Sequence, residues 1–422
     1  MTQKLNSQVT DSMNFFQGHD PYELVKTYGS PLYVYNERIF RQCCRDMVEL
    51  CNYHKFIVNY AVKANTNLSL LALAREEGLK VDVSSAGEIV TALAAGFKPE
   101  DIFFIANNIS GDEMDFAVRQ GIIVSVDSLS QLSTFGMRNP GEKIALRFNT
   151  GIGGGHHESV ITGGYNTKFG IMEDEIDQAK ELLKKHDLTI VGINHHIGSG
   201  PEDFIDLFCE GVESLLNIGA QFENLQFIDF GGGFPIPYAK QEGELPLDLA
   251  LMGERLSRLI SDHANKHGNK LTYIIEPGRY ICAESGVLLG TVHSVKNNGV
   301  YNYAGTDIGF SVLARHTLYE AHHDIEVYRQ SATEETQTAL YNIVGNMCES
   351  GDYVAKGRKL PALQIGDILC VLDTGAYGYS MSSEYNMRPR PAEVLIETSG
   401  NVRLIRRRDS FEDMLKNMQG LS

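Results

Sequence analysis

The sequence predicts an α/β protein, a (β/α)8 TIM-like barrel followed by a C-terminal antiparallel β domain. Between about residues 55 and 278, short β-rich runs alternate with helical stretches roughly eight times, which is the arithmetic of a barrel. The residues of unusual chemistry, Lys63, Asp82, Arg147, His195, His196, Gly231 to Gly233 and Glu276, fall at the C-terminal ends of separate strand candidates. In a barrel those ends converge on one mouth. After Arg279 the helical spacing stops and β-runs follow one another. The expected division is 37–278 for the barrel, with 1–36 and 279–422 forming a β-sandwich or β-barrel-like domain. An open doubly wound sheet shares the same alternation, and it is the location of the unusual residues that favours closure.

The elements follow in order. PLYVYN (31–36) reads as a strand that precedes the barrel and joins the later sheet. The barrel strands are FIVNYAVK (56–63), LKVDVSS (79–85), DIFFIA (101–106), GIIVSVD (121–127), KIALRFN (143–149), TIVGINHHIG (189–198), LQFIDFGGG (225–233) and LTYIIEPGR (271–279). Helical patterns lie between several of them, among them SLLALAREEG (69–78), AGEIVTALAAG (86–96) and EDEIDQAKELLKKH (173–186). The β domain is expected from GVLLGTVHSV, TALYNIVG, DILCVLD, AEVLIE and VRLIRR, closed by a short helix near SFEDMLKNM.

Composition narrows the function classes. The chain has 422 residues, 43% hydrophobic and 22% charged, ordinary proportions for a globular protein with a sizeable core. A formal net charge of -17 argues against a nucleic-acid surface, because phosphate backbones require concentrated positive charge. The run Arg406 to Arg408 is too short to reverse that balance. No apolar run has the length of a membrane span, and MTQKLNSQVTDSMNFF lacks the layout of a secretory signal, so a cytoplasmic location is expected. Seven cysteines form no CxxC pair and no regular framework, as in a reducing compartment.

Several motifs carry chemistry. Lys63, closing an apolar run before a polar turn, is either a solvated strand end or an amine held in a pocket to attack a carbonyl. DFGGGFP (229–235) follows a strand with three glycines. Their backbone N–H groups can turn inward as an anion nest suited to a phosphate, although a tight turn has the same sequence. No Walker lysine or spaced dinucleotide fingerprint accompanies it. EPGR (276–279) sets a carboxylate and a guanidinium at the last strand's end, either as a surface ion pair or as an acid that keeps a heteroaromatic nitrogen protonated. His195 and His196 point to opposite faces of a strand and do not readily share one metal. No metal is expected; an imidazole lying over a flat cofactor fits better. Cys348, beside Glu349 in MCESGD, is either a small buried residue or a loop thiol that donates a proton.

In this order, PLYVY, AVKAN, VDVSSAGE, KFGI, HIGS, GGGF, EPGR, CESGD, GAYGYSM and YNMRPRPAEVL together resemble the fold-type III pyridoxal-phosphate decarboxylases over essentially the whole chain. The resemblance implies pyridoxal 5'-phosphate as cofactor, Lys63 as its covalent partner, His196 stacked on its ring and Glu276 at its ring nitrogen. Gly231, Gly232 and Gly233, with Ser199 and Tyr377, would hold the phosphate. Asp82 and Arg147 would position lysine and ring, and Pro277, Gly278 and Arg279 would complete the cofactor wall. Cys348 would enter from the second subunit of a homodimer and protonate the carbon left after CO2 departs, with Lys168 and Asp352 pairing across the subunits. Related racemases carry arginine where this chain has Glu276, which weakens the electron sink, so decarboxylation is expected.

The substrate-side residues resemble the branch that converts meso-diaminopimelate, a small amino acid, to L-lysine and CO2. Arg279, Arg315 and Tyr319 would face its distal carboxylate and Glu349 its distal ammonium, and Tyr377 would also bind the substrate. The segments RFNTGIGGGHHESVITGG (147–164), TDIGFS (306–311) and ARHTLY (314–319), with His316, depart from the family's usual pattern. The alternatives are the same chemistry on another diamino acid or a carboxylated polyamine, and a non-catalytic cofactor-binding homologue.

Overall fold

The computed structural model describes residues 2–200, 203–268, 270–330 and 337–420. They form two compact units: Arg41–Ile236 with Pro246–Ile281, and Met1–Phe40 with Pro237–Leu245 and Cys282–Ser422.

The first unit is a closed barrel of eight parallel strands. In order they are Phe56–Ala61, Lys80–Val83, Ile102–Ile105, Ile123–Val126, Lys143–Arg147, Thr189–Asn194, Phe227–Asp229 and Thr272–Ile275. Closure is made by Thr272–Ile275 on Phe56–Ala61, in the register Tyr273↔Phe56, Ile274↔Ile57 and Ile275↔Val58. Most strand positions are apolar and buried because helices cover one face and the barrel interior the other. Inside, Phe103, Ile105 and Ala145 pack with Ile123 and Phe227. Gly192 makes room there, since a Cβ on it would lie 2.1 Å from the Phe227 ring.

All eight expected strands are present, each trimmed by one to several residues at its ends. The trimming matters at Lys63: the strand stops at Ala61, and Val62–Ala64 is a single 3-10 turn. The helices begin where capping chemistry dictates. Asn67, Ser85, Ser110 and Ser128 each accept a backbone N–H of the following first turn, so the helices after the first four strands start at fixed points.

The second unit is a ten-stranded sheet running Thr2–Lys4, Ile325–Gln330, Ile368–Val371, Gly286–Asn297, Asn302–Thr306, Thr338–Val344 and Tyr353–Pro361. Leu32–Asn36 joins it, antiparallel to Gly286–Asn297 and parallel to Ala392–Ile396, whose other neighbour is Val402–Arg406. A second parallel pair links Asn302–Thr306 to Thr338–Val344, so the sheet is mostly, not wholly, antiparallel. Pro237–Leu245, inside the span expected for the barrel, belongs to this unit: Lys240 pairs with Asp373 at 2.7 Å and Glu284 at 3.0 Å. Among the described residues, no helix is long and apolar enough to cross a membrane.

Leu146 is fully buried in the strand that ends at Arg147. Leu146→Ala is expected to cost roughly 2–5 kcal/mol, read as a lower midpoint in the barrel's urea unfolding. A loss below about 1 kcal/mol would show that the site collapses around the deletion.

Candidate active site

The barrel's strand ends gather the expected polar residues. Lys63 Nζ lies 3.2 Å from Asp82 Oδ2. Asp82 is only 1% exposed, and its Oδ1 has no hydrogen-bond partner among the described residues. Arg147 sits deep among carboxylates, its charge facing Glu276, Asp127, Asp229 and Asp82, and its guanidinium stacks 4.6 Å from the Phe169 ring.

Glu276 and Asp229 form the acidic floor. They are 4% and 0% exposed, and Glu276 Oε1 and Asp229 Oδ2 lack partners among the described residues. Asp229 Oδ1 accepts the Gly231 N–H at 2.9 Å. Burial drives Glu276 well above the usual carboxylate range, and the charges of Asp229 and Asp82 add to this. Burial raises Asp229 from 3.8 to about 7. Fixed cations here are fewer than acids, so the pair holds a proton at neutral pH.

The histidines divide as strand alternation requires. His195 turns outward beneath the helix Phe204–Gly219, where a Cβ on Gly211 would meet its ring at 2.6 Å; burial lowers it to about 3. His196 turns inward. Burial, then Lys63 and Arg147, hold its imidazole neutral well below the usual range. Its Nδ1 accepts the Gly198 N–H at 3.0 Å, which leaves Nε2 to carry the proton. Thr162 Oγ1 is 3.0 Å from the same Nδ1 and donates to His196 O at 3.2 Å, tying the glycine-rich loop to the ring.

Gly231, Gly232 and Gly233 line the neighbouring wall. Gly231 and Gly233 have φ of +70° and +103°, and a Cβ on the three would come within 2.4, 2.1 and 2.2 Å of the carbonyls of His195, Glu276 and Gly198. Only glycine lets the backbone lie this flat. Pro277 O accepts the Ala61 N–H at 3.3 Å, and Gly278 leads into the short helix Arg279–Cys282. Arg279, 7% exposed, donates to the Ser199 hydroxyl from Nε at 3.3 Å and Nη2 at 2.8 Å.

The remaining expected residues lie in the β unit. Arg315 is 1% exposed, stacks 4.4 Å from the Tyr238 ring and donates from Nη1 to His323 Nε2 at 2.8 Å. Half-buried Tyr319 ends the short helix Arg315–Tyr319, whose Thr317 donates to Gly351 O of the cysteine loop at 3.3 Å. Cys348 and Glu349 are adjacent and exposed, while the other six cysteines are buried. Tyr377 has φ of +56°, a backbone region rare for a bulky residue and common at functional turns. Asp352 accepts the N–H groups of Phe310 at 2.6 Å and Met347 at 2.7 Å, so its carboxylate shapes its own loop. Among the described residues, no group of three or more His, Cys, Asp or Glu is arranged to hold a metal.

A lysine, an acid pair and a glycine-lined wall at one barrel mouth are the parts of a site for a phosphorylated aromatic aldehyde. Comparisons with known proteins agree. Residues 37–283 match the family model described as pyridoxal-dependent decarboxylase, pyridoxal binding domain. The diaminopimelate decarboxylase of Methanothermobacter thermautotrophicus is 41% identical over 414 residues, 94% of each chain, and that of Escherichia coli K12 is 37% identical over 403 residues, 92% of this chain and 93% of the relative. A crystal structure of diaminopimelate decarboxylase superposes with a TM-score of 0.87 at 35% identity, covering 98% of both chains. One from Helicobacter pylori, complexed with L-lysine, gives 0.83 at 32% over 94% of this chain and 98% of that one. The chain belongs to the pyridoxal-dependent decarboxylases.

The site fits pyridoxal phosphate on its own chemistry. Glu276 and Asp229, buried side by side and joined by a hydrogen bond, form an acidic end to the site that a protonated ring nitrogen would complement. The three glycines pack so closely on the carbonyls of His195, Glu276 and Gly198 that no side chain fits there, which leaves their backbone N–H groups as the available donors for an anion.

Asp229, Thr162, Tyr238 and His323 were not singled out from the sequence. Asp229 carried a signal, an acid immediately before the glycine run; the others act through contacts that residue type does not announce.

Asp229 also sets a pH dependence. Its proton, retained up to about 7 in the fold, gives the cofactor-free barrel a stability that is complete below about 3.8 and lost as pH rises through about 7. Asp229→Asn should flatten that decline by up to ~1.4 kcal/mol per pH unit, measured by urea unfolding at about pH 5 and pH 7. Equal slopes in both proteins would mean that Asp229 is ionised throughout.

Proposed function

We propose that this chain converts meso-2,6-diaminopimelate to L-lysine and CO2, as a homodimer in the cytoplasm. The observation that carries the reaction type is the buried acid pair Glu276 and Asp229 at the end of the barrel that also bears Lys63. The substrate follows from near-full-length relatives named diaminopimelate decarboxylase.

Bound at this mouth, pyridoxal phosphate supplies an aldehyde and a ring that, protonated, takes up the electron pair left when the carboxylate departs. The chain's own groups do the rest. Glu276, backed by Asp229, keeps a proton at the ring-nitrogen end of the site, and Arg147 offsets the negative charge around it. Lys63 is the amine for the aldehyde carbon, and Asp82 holds it in place. His196, neutral, presents its flat face to the ring. Gly231 to Gly233 and Ser199, with Tyr377, would hold the phosphate, and Arg279 braces Ser199.

The bond from the α-carbon to its carboxylate breaks, and a proton from Cys348 Sγ takes the carboxylate's place. In this reading Cys348 serves the partner subunit's site, in keeping with its being the exposed one of seven cysteines. Arg279, Arg315, Tyr319 and Tyr377 face the distal carboxylate, and Glu349 the distal ammonium. Two ionic groups far from the reacting carbon let the site reject monocarboxylic diamines, because an unmatched buried arginine is costly.

Incubation of cofactor-loaded protein with meso-diaminopimelate should release CO2 and L-lysine in equal amounts. Lys63→Ala should abolish turnover and the visible absorbance of the bound aldehyde, and Arg315→Ala should lower kcat/KM by about ten- to a hundredfold, the range for a charged hydrogen bond left unmade. CO2 release from ornithine or a carboxylated polyamine, with none from diaminopimelate, would replace the substrate in this reading.

A further inference from the structure

The short 3-10 segment Tyr385–Met387 holds the cysteine loop in a way that the sequence motifs do not suggest. Asn386 Nδ2 donates to Cys348 Sγ at 3.3 Å, and the Cys348 backbone N–H donates to Asn386 Oδ1 at 3.2 Å. One amide therefore grips both ends of the cysteine's only side-chain torsion. The neighbouring residues repeat the pattern: the Tyr385 hydroxyl donates to Glu349 Oε1, and this bond pushes the phenol up to about 12. Tyr385 in turn packs 5.3 Å from Phe310, whose N–H is fixed by Asp352 together with that of Met347.

The backbone makes this double contact possible. Asn386 and Met387 have φ of +56° and +54°, the left-handed region, which asparagine tolerates better than most residues. That pair of residues reverses the chain and delivers two consecutive side chains, Tyr385 and Asn386, to two consecutive residues, Glu349 and Cys348. All of these groups are at the surface, where hydrogen bonds add little to global stability, so an ordered thiol here needs a reason other than folding. A cysteine left to itself samples three staggered rotamers. A proton donor gains from holding one.

We infer that Asn386 is a positioning residue that holds the Cys348 thiol in one orientation for proton delivery, and that Tyr385 does the same for the Glu349 carboxylate. This rests on the reading of Cys348 as proton donor and Glu349 as a partner of the substrate's distal ammonium, and it names residues that reading does not contain. Asn386 acts through the sulfur.

Two variants separate the side chain from the backbone. Asn386→Gly keeps the left-handed turn and removes the amide, while Asn386→Asp keeps the acceptor for the Cys348 N–H and sets a carboxylate beside the sulfur. Alkylation of Cys348 by iodoacetamide in the purified protein, followed on the Cys348 peptide, reads the contact without turnover. Asn386→Asp should slow it about threefold or more, since a negative charge at the sulfur opposes the reactive thiolate.

In steady-state assays on meso-diaminopimelate, Asn386→Gly should lower kcat about tenfold with KM within about twofold, the effect of one or two lost hydrogen bonds. Tyr385→Phe should raise KM more than it lowers kcat. Unchanged alkylation in Asn386→Asp together with unchanged kcat in Asn386→Gly would overturn the inference. Should Cys348→Ala turn over like the parent protein, the proton-donor reading and the kinetic half of the inference fall together, and the alkylation rate still decides whether Asn386 holds the thiol.

Discussion

Charge at the barrel mouth is out of balance, and the rest of the site follows from that. Asp82, Asp127, Asp229 and Glu276 surround two fixed cations, Lys63 and Arg147. Burial makes each unpaired carboxylate costly, so Glu276 and Asp229 rise well above their ordinary range and keep protons. Burial, helped by the same two cations, holds His196 neutral. A protonated heteroaromatic nitrogen relieves the excess acidity; a neutral ligand does not. The pocket is thus selective for a cationic ring before any shape is considered.

Rigid backbone keeps these groups at short range. Eight parallel strands fix where their last residues point, and capped helices leave those ends little slack. Glycines 231 to 233 show how little room remains, since each Cβ would enter a neighbouring carbonyl. The β unit works differently. Its functional candidates sit on short turns steadied by single side chains: Asp352 on two backbone N–H groups, His323 and Tyr238 on Arg315, and Asn386 on Cys348. A barrel mouth holds its groups by strand geometry, whereas these loops require dedicated polar contacts.

The barrel was readable in the sequence because its strands are mostly apolar runs that alternate with helical stretches and carry distinctive residues near their ends. In the β unit, Thr2–Lys4 is too short to register, and Ile325–Gln330 is disguised by Glu326 and Arg329, both buried charges in an otherwise apolar strand. Tyr353–Pro361 is masked by its lysines, arginine and the positive φ of Gly357. Among site residues, Lys63, Asp82, Arg147 and Glu276 stood out because a charge at the end of an apolar run is conspicuous. Asp229 hid beside the more obvious glycines. Thr162, Tyr238, His323 and Asn386 have value only through what they touch, and that information lies in the fold.

The protonation state of the Glu276 and Asp229 pair tests the charge imbalance most directly. Isotope-edited infrared difference spectra, taken at about pH 7 with and without pyridoxal phosphate, distinguish protonated from ionised carboxyls. The expected result is a protonated-carboxyl band in the cofactor-free protein that is lost on loading and is absent from Asp229→Asn with Glu276→Gln. Ionised carboxyls in both states would contradict the view that the buried acids are waiting for a cation.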